Sequence, residues 1–222
     1  LGIDGFDGIL FFLGVSSFQL DDRNRGFSYM ADNTALDMRM DKSKNFTAKD
    51  VVNGYDEKRL TQILTEYGEE KFAARIAKEI VKTREKSPIE TVKDLNDIIE
   101  RAIPKKFQSS GHPSKRTFQA IRIEVNGELE DLKEAITDMC RGLKKGGRIA
   151  IITFHSLEDR IVKTVFRDLE TDCICDKSLP VCVCGKKKEI EIITKHPITA
   201  SESELSINGR AKSAKLRVAE KV

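Results

Sequence analysis

The pattern of apolar and polar positions changes period several times along the chain. Residues 7–14 form an unbroken apolar run, D-G-I-L-F-F-L-G. Runs of this kind are typical of strands buried on both faces of a parallel sheet. Gly14-Val-Ser-Ser then reads as the exit from strand to loop, and in open α/β sheets ligands bind at that carboxyl end. Residues 21–46 carry many charges and little periodicity, which predicts a long loop of the kind that often carries function. Thr47-Ala-Lys-Asp50 has the spacing of a capping box and opens a short helix. Leu60, Ile63, Leu64 and Tyr67 mark an amphipathic helix that stops at Gly68. Phe72, Ala73, Ile76, Ala77 and Ile80 mark a second, broken by Ser87-Pro88. Leu95, Ile98, Ile99 and Ile103 mark a third, capped by Thr91-Val-Lys-Asp94 and stopped by Pro104. Residues 47–104 therefore predict a helical module.

Apolar residues spaced three and four apart continue from Phe118 to Leu143. They predict one long helix, or two joined near Asn126-Gly127, ended by Gly146-Gly147. Residues 148–155, R-I-A-I-I-T-F-H, read as a second buried strand of the parallel type. Ser156-Leu-Glu-Asp159 restarts a helix carried by Ile161, Val162, Val165, Phe166 and Leu169. Residues 189–194 and 214–220 alternate as two further strands and suggest a hairpin-like pair at a sheet edge. There is no internal repeat. The architecture predicted is an α/β sheet whose first strand is separated from the rest by a helical insertion.

Composition narrows the class. The 222 residues, with 39% apolar, 34% charged and 6% aromatic side chains, suit one sizeable domain, or one domain with an insertion. No apolar run reaches the ~18 residues of a membrane helix, and the opening Leu-Gly-Ile-Asp lacks the basic start of a signal peptide. A first residue other than Met suggests a processed product or a fragment. The net charge of +3 says little, but Lys105, Lys106, Lys115, Arg116 and Arg122 lie in an acid-free stretch with Phe107, His112 and Phe118 among them. Cations interleaved with rings suit a phosphate backbone and unstacked bases. The plainer alternative is a solvated loop leading into a helix. Five cysteines without a secretory signal imply a reducing compartment.

Several stretches together resemble one family. They are D-G-I-L-F-x-L-G-V-S-S-x-Q-L-D at 7–21, R-G-F-S-Y at 25–29 and L-D-M-R-M-D at 36–41. Y-G-E-E-K-F-A-x-R-I-A follows at 67–77, then R-T-F-Q-A-I-R-I-x-V-N at 116–126. G-G-R-I-A-I-I-T-F-H-S-L-E-D-R-I-V-K at 146–163 and R-A-K-S-A-K-L-R-V-A-E at 210–220 complete the set. In order and nearly from end to end, the chain resembles the bacterial MraW (RsmH) methyltransferases. The resemblance implies methylation of the exocyclic N4 amine of one cytidine in the decoding centre of 16S ribosomal RNA. It implies S-adenosylmethionine as cofactor, the small ribosomal subunit as partner and a cytoplasmic location. It also implies no membrane association and leaves the oligomeric state open.

The fold implied is a methyltransferase-type doubly wound sheet with an inserted, mainly helical substrate-recognition domain. Residues 1–22 and 116–222 would form the first and residues 23–115 the second. Two departures stand out. Family members begin with a further N-terminal part, whose Gly-Gly-His loop cradles the methionine end of the cofactor. This chain has no such loop, and Gly146-Gly147 precedes a strand where that motif would follow one. The sheet is thus expected to be incomplete at its N-terminus, leaving the Asp7–Gly14 strand as an apolar edge that aggregates or binds a partner. Further, the family strand reads D-L-G-V-S-S where this chain has Phe12-Leu-Gly-Val-Ser-Ser. The family Asp contacts the cofactor, and Phe12 can accept no hydrogen bond. Phe12, Leu13, Gly14 and Gln19 occupy the cofactor-contact positions; Phe18 replaces the usual Pro. Two readings stay open: an active enzyme, and an RNA-binding remnant without catalysis.

Methyl transfer to a cytosine amine needs the base unstacked and aligned, and acceptors on the amine N–H bonds. Asp37 and Asp41 flank Arg39 on one loop and are candidates to serve a base edge and a phosphate. A loop-internal ion network is the alternative. His155 and Ser156 fall at the carboxyl end of the second strand, where active-site residues collect; a structural hydrogen-bonding role is the alternative for His155. Arg23, Arg25, Arg39, Lys115, Arg116, Arg122, Arg210 and Lys212 are the candidate RNA contacts. Lys215 and Arg217 would join them, or blunt an edge strand. Cys173, Cys175, Cys182 and Cys184 form C-x-C-x6-C-x-C. Four thiolates can close a tetrahedral zinc site, although C-x2-C is the more usual spacing. Free thiols in a variable loop are the alternative, and the resemblance requires no metal.

Overall fold

The computed structural model describes residues 4–108, 111–176 and 181–222. The reading of the opening residues as leaderless falls on residues 1–3, outside the described ones. So do residues 109–110 of the basic stretch and 177–180 of the cysteine segment. In chain order the elements begin with β1 (Phe6–Phe12) and α1 (Ser17–Asp21). Five helices follow: α2 (Ala48–Gly54), α3 (Glu57–Glu66), α4 (Ala73–Arg84), α5 (Val92–Ala102) and α6 (Lys115–Asn126). Then come α7 (Leu132–Arg141), β2 (Leu143–Thr153), α8 (Ser156–Glu170), β3 (Ile190–Ile192), β4 (Ile198–Thr199), α9 (Glu202–Ile207) and β5 (Lys215–Lys221). Among the described residues no helix is long and apolar enough to cross a membrane.

Two compact units result: one comprises the chain up to Gly14 and Leu129–Val222, the other Val15–Glu128. The first is built on a mixed sheet in the order β1-β2-β5-β3, with β4 also on β5. β1 runs parallel to β2, and β5 runs antiparallel to β2, β3 and β4. Alternation places Ile149 and Ile151 of β2 and Ala219 of β5 in one core with Ile136 and Cys140 of α7 and Val162, Val165 and Phe166 of α8. Each fully buried aliphatic side chain there contributes about 1.5–3 kcal/mol. Ile9, Phe11 and Leu13 pack at its edge.

Three readings of this unit are corrected. The apolar run at 7–14 is not buried on both faces: Leu10 is 61% and Phe12 59% exposed, because they alternate onto the face opposite Ile9, Phe11 and Leu13, which pack on the core; β2 is the only strand paired with β1 among the described residues. Gly146-Gly147 does not end a helix. α7 ends at Arg141, and the glycines sit inside β2 where its register with β1 shifts, between the Phe6–Leu143 and Gly8–Arg148 pairs. A Cβ on Gly147 would lie 2.8 Å from the Lys144 carbonyl oxygen and 2.9 Å from that of Phe6, so the bulge admits only glycine without displacement. Last, the strands expected at 189–194 and 214–220 do pair antiparallel, as β3 and β5, but among the described residues β5 lies inside the sheet with β2 on its other side, so its basic residues do not blunt an edge. β4 and α9 had no clear sequence signal, being short and largely exposed.

The second unit is helical. Leu60, Ile63 and Leu64 of α3, Ile76 and Ile80 of α4, Leu95, Ile98 and Ile99 of α5 and Phe118 and Ile121 of α6 meet in one core. Reciprocal capping boxes at Thr47–Asp50 and Thr91–Asp94 start α2 and α5. Each satisfies N–H groups that would otherwise lack partners and adds about 1 kcal/mol. Gly127, in the left-handed region with φ of 62°, ends α6 and separates it from α7, which resolves the one-helix or two-helix alternative.

Candidate functional site

The parallel pair sets the end of the sheet unit where the expected site residues stand. Phe12 pairs with Ile152, and the Leu13 N–H donates to the Ile152 carbonyl oxygen at 3.0 Å, so both strands deliver their carboxyl ends together. Gly14 follows with φ of +79°, a conformation costly for other residues. A Cβ there would approach Glu158 Oε1 to 3.4 Å. Glu158 is 2% exposed. Its Oε2 accepts the N–H groups of Phe154 at 2.8 Å and His155 at 3.2 Å, and its own N–H donates to His155 Nδ1 at 3.4 Å. His155 Nε2 lies 3.1 Å from Glu158 Oε1, but the alignment is not that of a hydrogen bond and Nε2 has no other partner. His155 is the N-cap of α8, its Nδ1 accepting the Glu158 N–H. Burial pushes the Glu158 carboxyl up, but the His155 ring and the two N–H groups prevail and hold it below the ordinary range. Beside it Asp159 receives Arg217 Nε at 2.6 Å and Nη2 at 3.2 Å, with Lys215 Nζ at 3.3 Å.

In the helical unit, residues 36–41 form a rigid loop. Arg39 grips Asp37 through Nε at 2.9 Å and Nη2 at 2.7 Å, which holds the Asp37 carboxyl below its usual range. Asp37 and Arg39 thus form an ion pair within the loop. Asp41 is exposed and accepts the Ser43 N–H at 2.9 Å. Arg25 is buried and donates to the Arg39 carbonyl oxygen at 2.6 Å and that of Met40 at 3.2 Å, so it braces the loop from inside. Asn126 holds the same loop from α6, donating to the Met38 carbonyl oxygen at 2.8 Å and accepting the Met40 N–H at 2.7 Å. Met38 sits between them, fully buried and with φ of 57°.

The same unit carries a basic cavity of about 220 Å3 lined by Phe72, Phe107, His112, Lys71, Lys115 and Arg116, among others. Phe72 and Phe107 pack with ring centroids 5.2 Å apart, and Lys106 covers the Phe107 ring at 5.0 Å. Tyr29 stacks on His112 at 4.4 Å. Arg116 donates to the Glu69 carbonyl oxygen at 2.7 Å, and Lys115 is exposed. Arg122 faces away from this role, bound to Glu128 through Nε at 2.8 Å and Nη2 at 3.0 Å.

Of the remaining expected residues, Gln19 caps α1 by accepting the Ser16 N–H at 2.9 Å. Arg23, Arg210 and Lys212 are exposed. The four clustered cysteines converge, with Sγ atoms all within 4.8 Å of one another. Cys184 is drawn down to about 6 by the N–H groups of Ile174 and Lys186. Sequence reasoning missed Glu158, whose position three residues past the N-cap was the available signal, and Phe72 and Lys71, which join the basic stretch only through folding.

A mixed sheet with a parallel pair, whose carboxyl ends lead to a helix start and to an inserted helical unit, is the architecture of a Rossmann-like methyltransferase. The chain matches the MraW methylase family over residues 1–222 and belongs to it. It is 61% identical over 222 residues to the ribosomal RNA small subunit methyltransferase H of Caldicellulosiruptor saccharolyticus, covering 100% of this chain and 72% of that protein. The protein of the same name from Clostridium botulinum (strain Loch Maree) is 58% identical over the same span, with 72% of its length covered. That of Clostridioides difficile (strain 630) is 56% identical over 223 residues, with 71% covered.

Proposed function

We propose that the chain methylates the N4 amine of a cytidine in the decoding centre of small-subunit ribosomal RNA, on cytoplasmic ribosomal particles. The observation that carries this is the match along the whole chain to proteins named for methylation of that RNA. S-adenosylmethionine, when bound, supplies an activated methyl group on a sulfonium. Leu13 and Gly14 would offer it backbone groups beside the open Gly14 turn, and Gln19 an amide. Phe12 offers only a ring. A cytosine amine is a weak nucleophile because its lone pair is delocalised. Acceptors on its N–H bonds localise that pair and take the proton released. Asp41 has the more accessible carboxylate for this, with Asp37 held by Arg39 as the fixed neighbouring charge. His155 acts through Glu158, which fixes the turn after β2. The Phe72–Phe107 cavity suits an unstacked base, and Lys115, Arg116, Arg23, Arg210 and Lys212 suit phosphates. The recognition insertion, expected at residues 23–115 between methyltransferase segments 1–22 and 116–222, would then be the compact helical unit Val15–Glu128, which is wider at both ends.

One observation favours a second reading, RNA binding without catalysis: at the tip of β1 stands Phe12, 59% exposed and without a polar atom, where the family resemblance leads one to expect an acceptor. Calorimetric titration with S-adenosylmethionine separates the two. Micromolar binding supports the enzyme. RNA affinity without cofactor binding supports the second reading, and loss of both overturns each.

A further inference from the structure

We propose that Cys173, Cys175, Cys182 and Cys184 form a tetrathiolate zinc site that closes the connection between α8 and β3. The geometry carries the argument. A zinc–sulfur bond of about 2.3 Å requires tetrahedral sulfurs to stand about 3.8 Å apart. The Sγ separations are 3.5 Å for Cys173–Cys182, 3.9 Å for Cys175–Cys182, 3.6 Å for Cys182–Cys184 and 3.9 Å for Cys173–Cys184. All four sulfurs lie within 4.8 Å of one another and none is in a disulfide. Four soft donors in a closed tetrahedron select zinc among the abundant divalent ions and leave no open position for catalysis.

The backbone supplies the surroundings a thiolate site needs. The Ile174 N–H points to Cys184 Sγ at 3.5 Å, that of Cys175 to Cys173 Sγ at 3.4 Å and that of Val183 to Cys175 Sγ at 3.3 Å. Such N–H groups fix ligand orientation and spread the thiolate charge. Four thiolates on one divalent ion leave a net charge of −2 by simple valence, and Lys186, Lys187 and Lys188 follow directly in the chain. Glu189 ties the far end of the segment to Arg141 and to the Leu169 carbonyl oxygen, but the cysteine stretch has no core. Among the described residues of 171–189 none is buried, and Ile174, Val181 and Val183 are 68–76% exposed. A connection of this length without core of its own is ordered only by a cross-link. The site is far in chemistry from methyl transfer: its role is to hold a basic loop in one shape.

The test is metal analysis of the full chain, purified without chelator from zinc-supplemented cells, alongside a count of reduced thiols. About one zinc per chain is expected, and cobalt added to the metal-free protein should give the visible bands of tetrahedral tetrathiolate coordination. Cys173→Ser with Cys182→Ser should bring the metal content near zero and leave the helical circular dichroism signal in place. Zinc removal should speed tryptic cleavage at Lys186–Lys188 at least about tenfold, through local opening. All five thiols reduced with no metal bound, two disulfides in freshly prepared protein, or unchanged zinc in the double variant would each overturn the proposal. Because none of these readouts uses methyl transfer or RNA, they are independent of the enzymatic assignment.

Discussion

Asn126 shows how one side chain sets a whole loop. Its amide bonds the Met38 carbonyl and the Met40 N–H at once, holding the loop on which Asp37, Arg39 and Asp41 stand. Asn126→Ala leaves two part-buried backbone groups unsatisfied, and urea denaturation is expected to show a loss of about 2–3 kcal/mol. Asp159 and Arg217 make the corresponding pair in the sheet unit. Burial alone would raise the Asp159 carboxyl, but Arg217 and Lys215 hold it below its ordinary value. Because the folded value is depressed, its stabilisation is complete above about pH 4 and is lost as pH falls through the lower folded value. Asp159→Asn is expected to flatten the acid limb of stability against pH. Arg217→Met, which strands the carboxylate, is expected to cost about 3 kcal/mol near neutrality. A variant whose acid limb matches wild type would contradict the pairing. Neither partnership was legible in the sequence: the partners are 86 and 58 residues apart, and local spacing reports only neighbours.

Elements were more legible, for a physical reason. Helices α3 to α6 carry their apolar faces at regular spacing, and α3 and α5 have side-chain caps at Asp56 and Thr91, so there period and punctuation agree. The β1–β2 pair was legible as two apolar runs, yet its surroundings were not. Hydrophobicity states what a strand prefers to bury, whereas the elements packed on each face state what it does bury, and only the Ile9–Phe11–Leu13 face of β1 meets the core. Its exposed Leu10 and Phe12 are expected to drive concentration-dependent association, seen by sedimentation velocity. Leu10→Lys with Phe12→Lys is expected to reduce it with little change in unfolding free energy, because both side chains already face solvent. Association equal to wild type would show that the edge is not its cause. The glycine pair was misread because Gly-Gly commonly ends helices. Its actual role, a bulge against Phe6, depends on a strand far away in sequence. Gly147→Ala forces a Cβ against backbone carbonyls and is expected to cost about 1–3 kcal/mol by thermal or urea unfolding.

At the scale of the whole molecule, the family motifs divide between the two units. The D-G-I-L-F and H-S-L-E-D stretches build the carboxyl ends of the parallel strands, and L-D-M-R-M-D and Y-G-E-E-K-F serve the helical unit. Each unit holds one half of the proposed chemistry, a donor end and a base-receiving face. Phe107→Ala is expected to weaken binding to single-stranded ribosomal RNA about tenfold, the loss of one stacked base. Lys115→Gln is expected to lower the slope of log affinity against log salt by about 0.7, the loss of one phosphate contact. The account is tested most directly by incubating the chain with labelled S-adenosylmethionine and small ribosomal subunits from cells lacking this methylation, then digesting the RNA to nucleosides. Label in N4-methylcytidine from a single position is the result predicted; label on another atom, or none while the Caldicellulosiruptor saccharolyticus relative labels the same subunits, would contradict it.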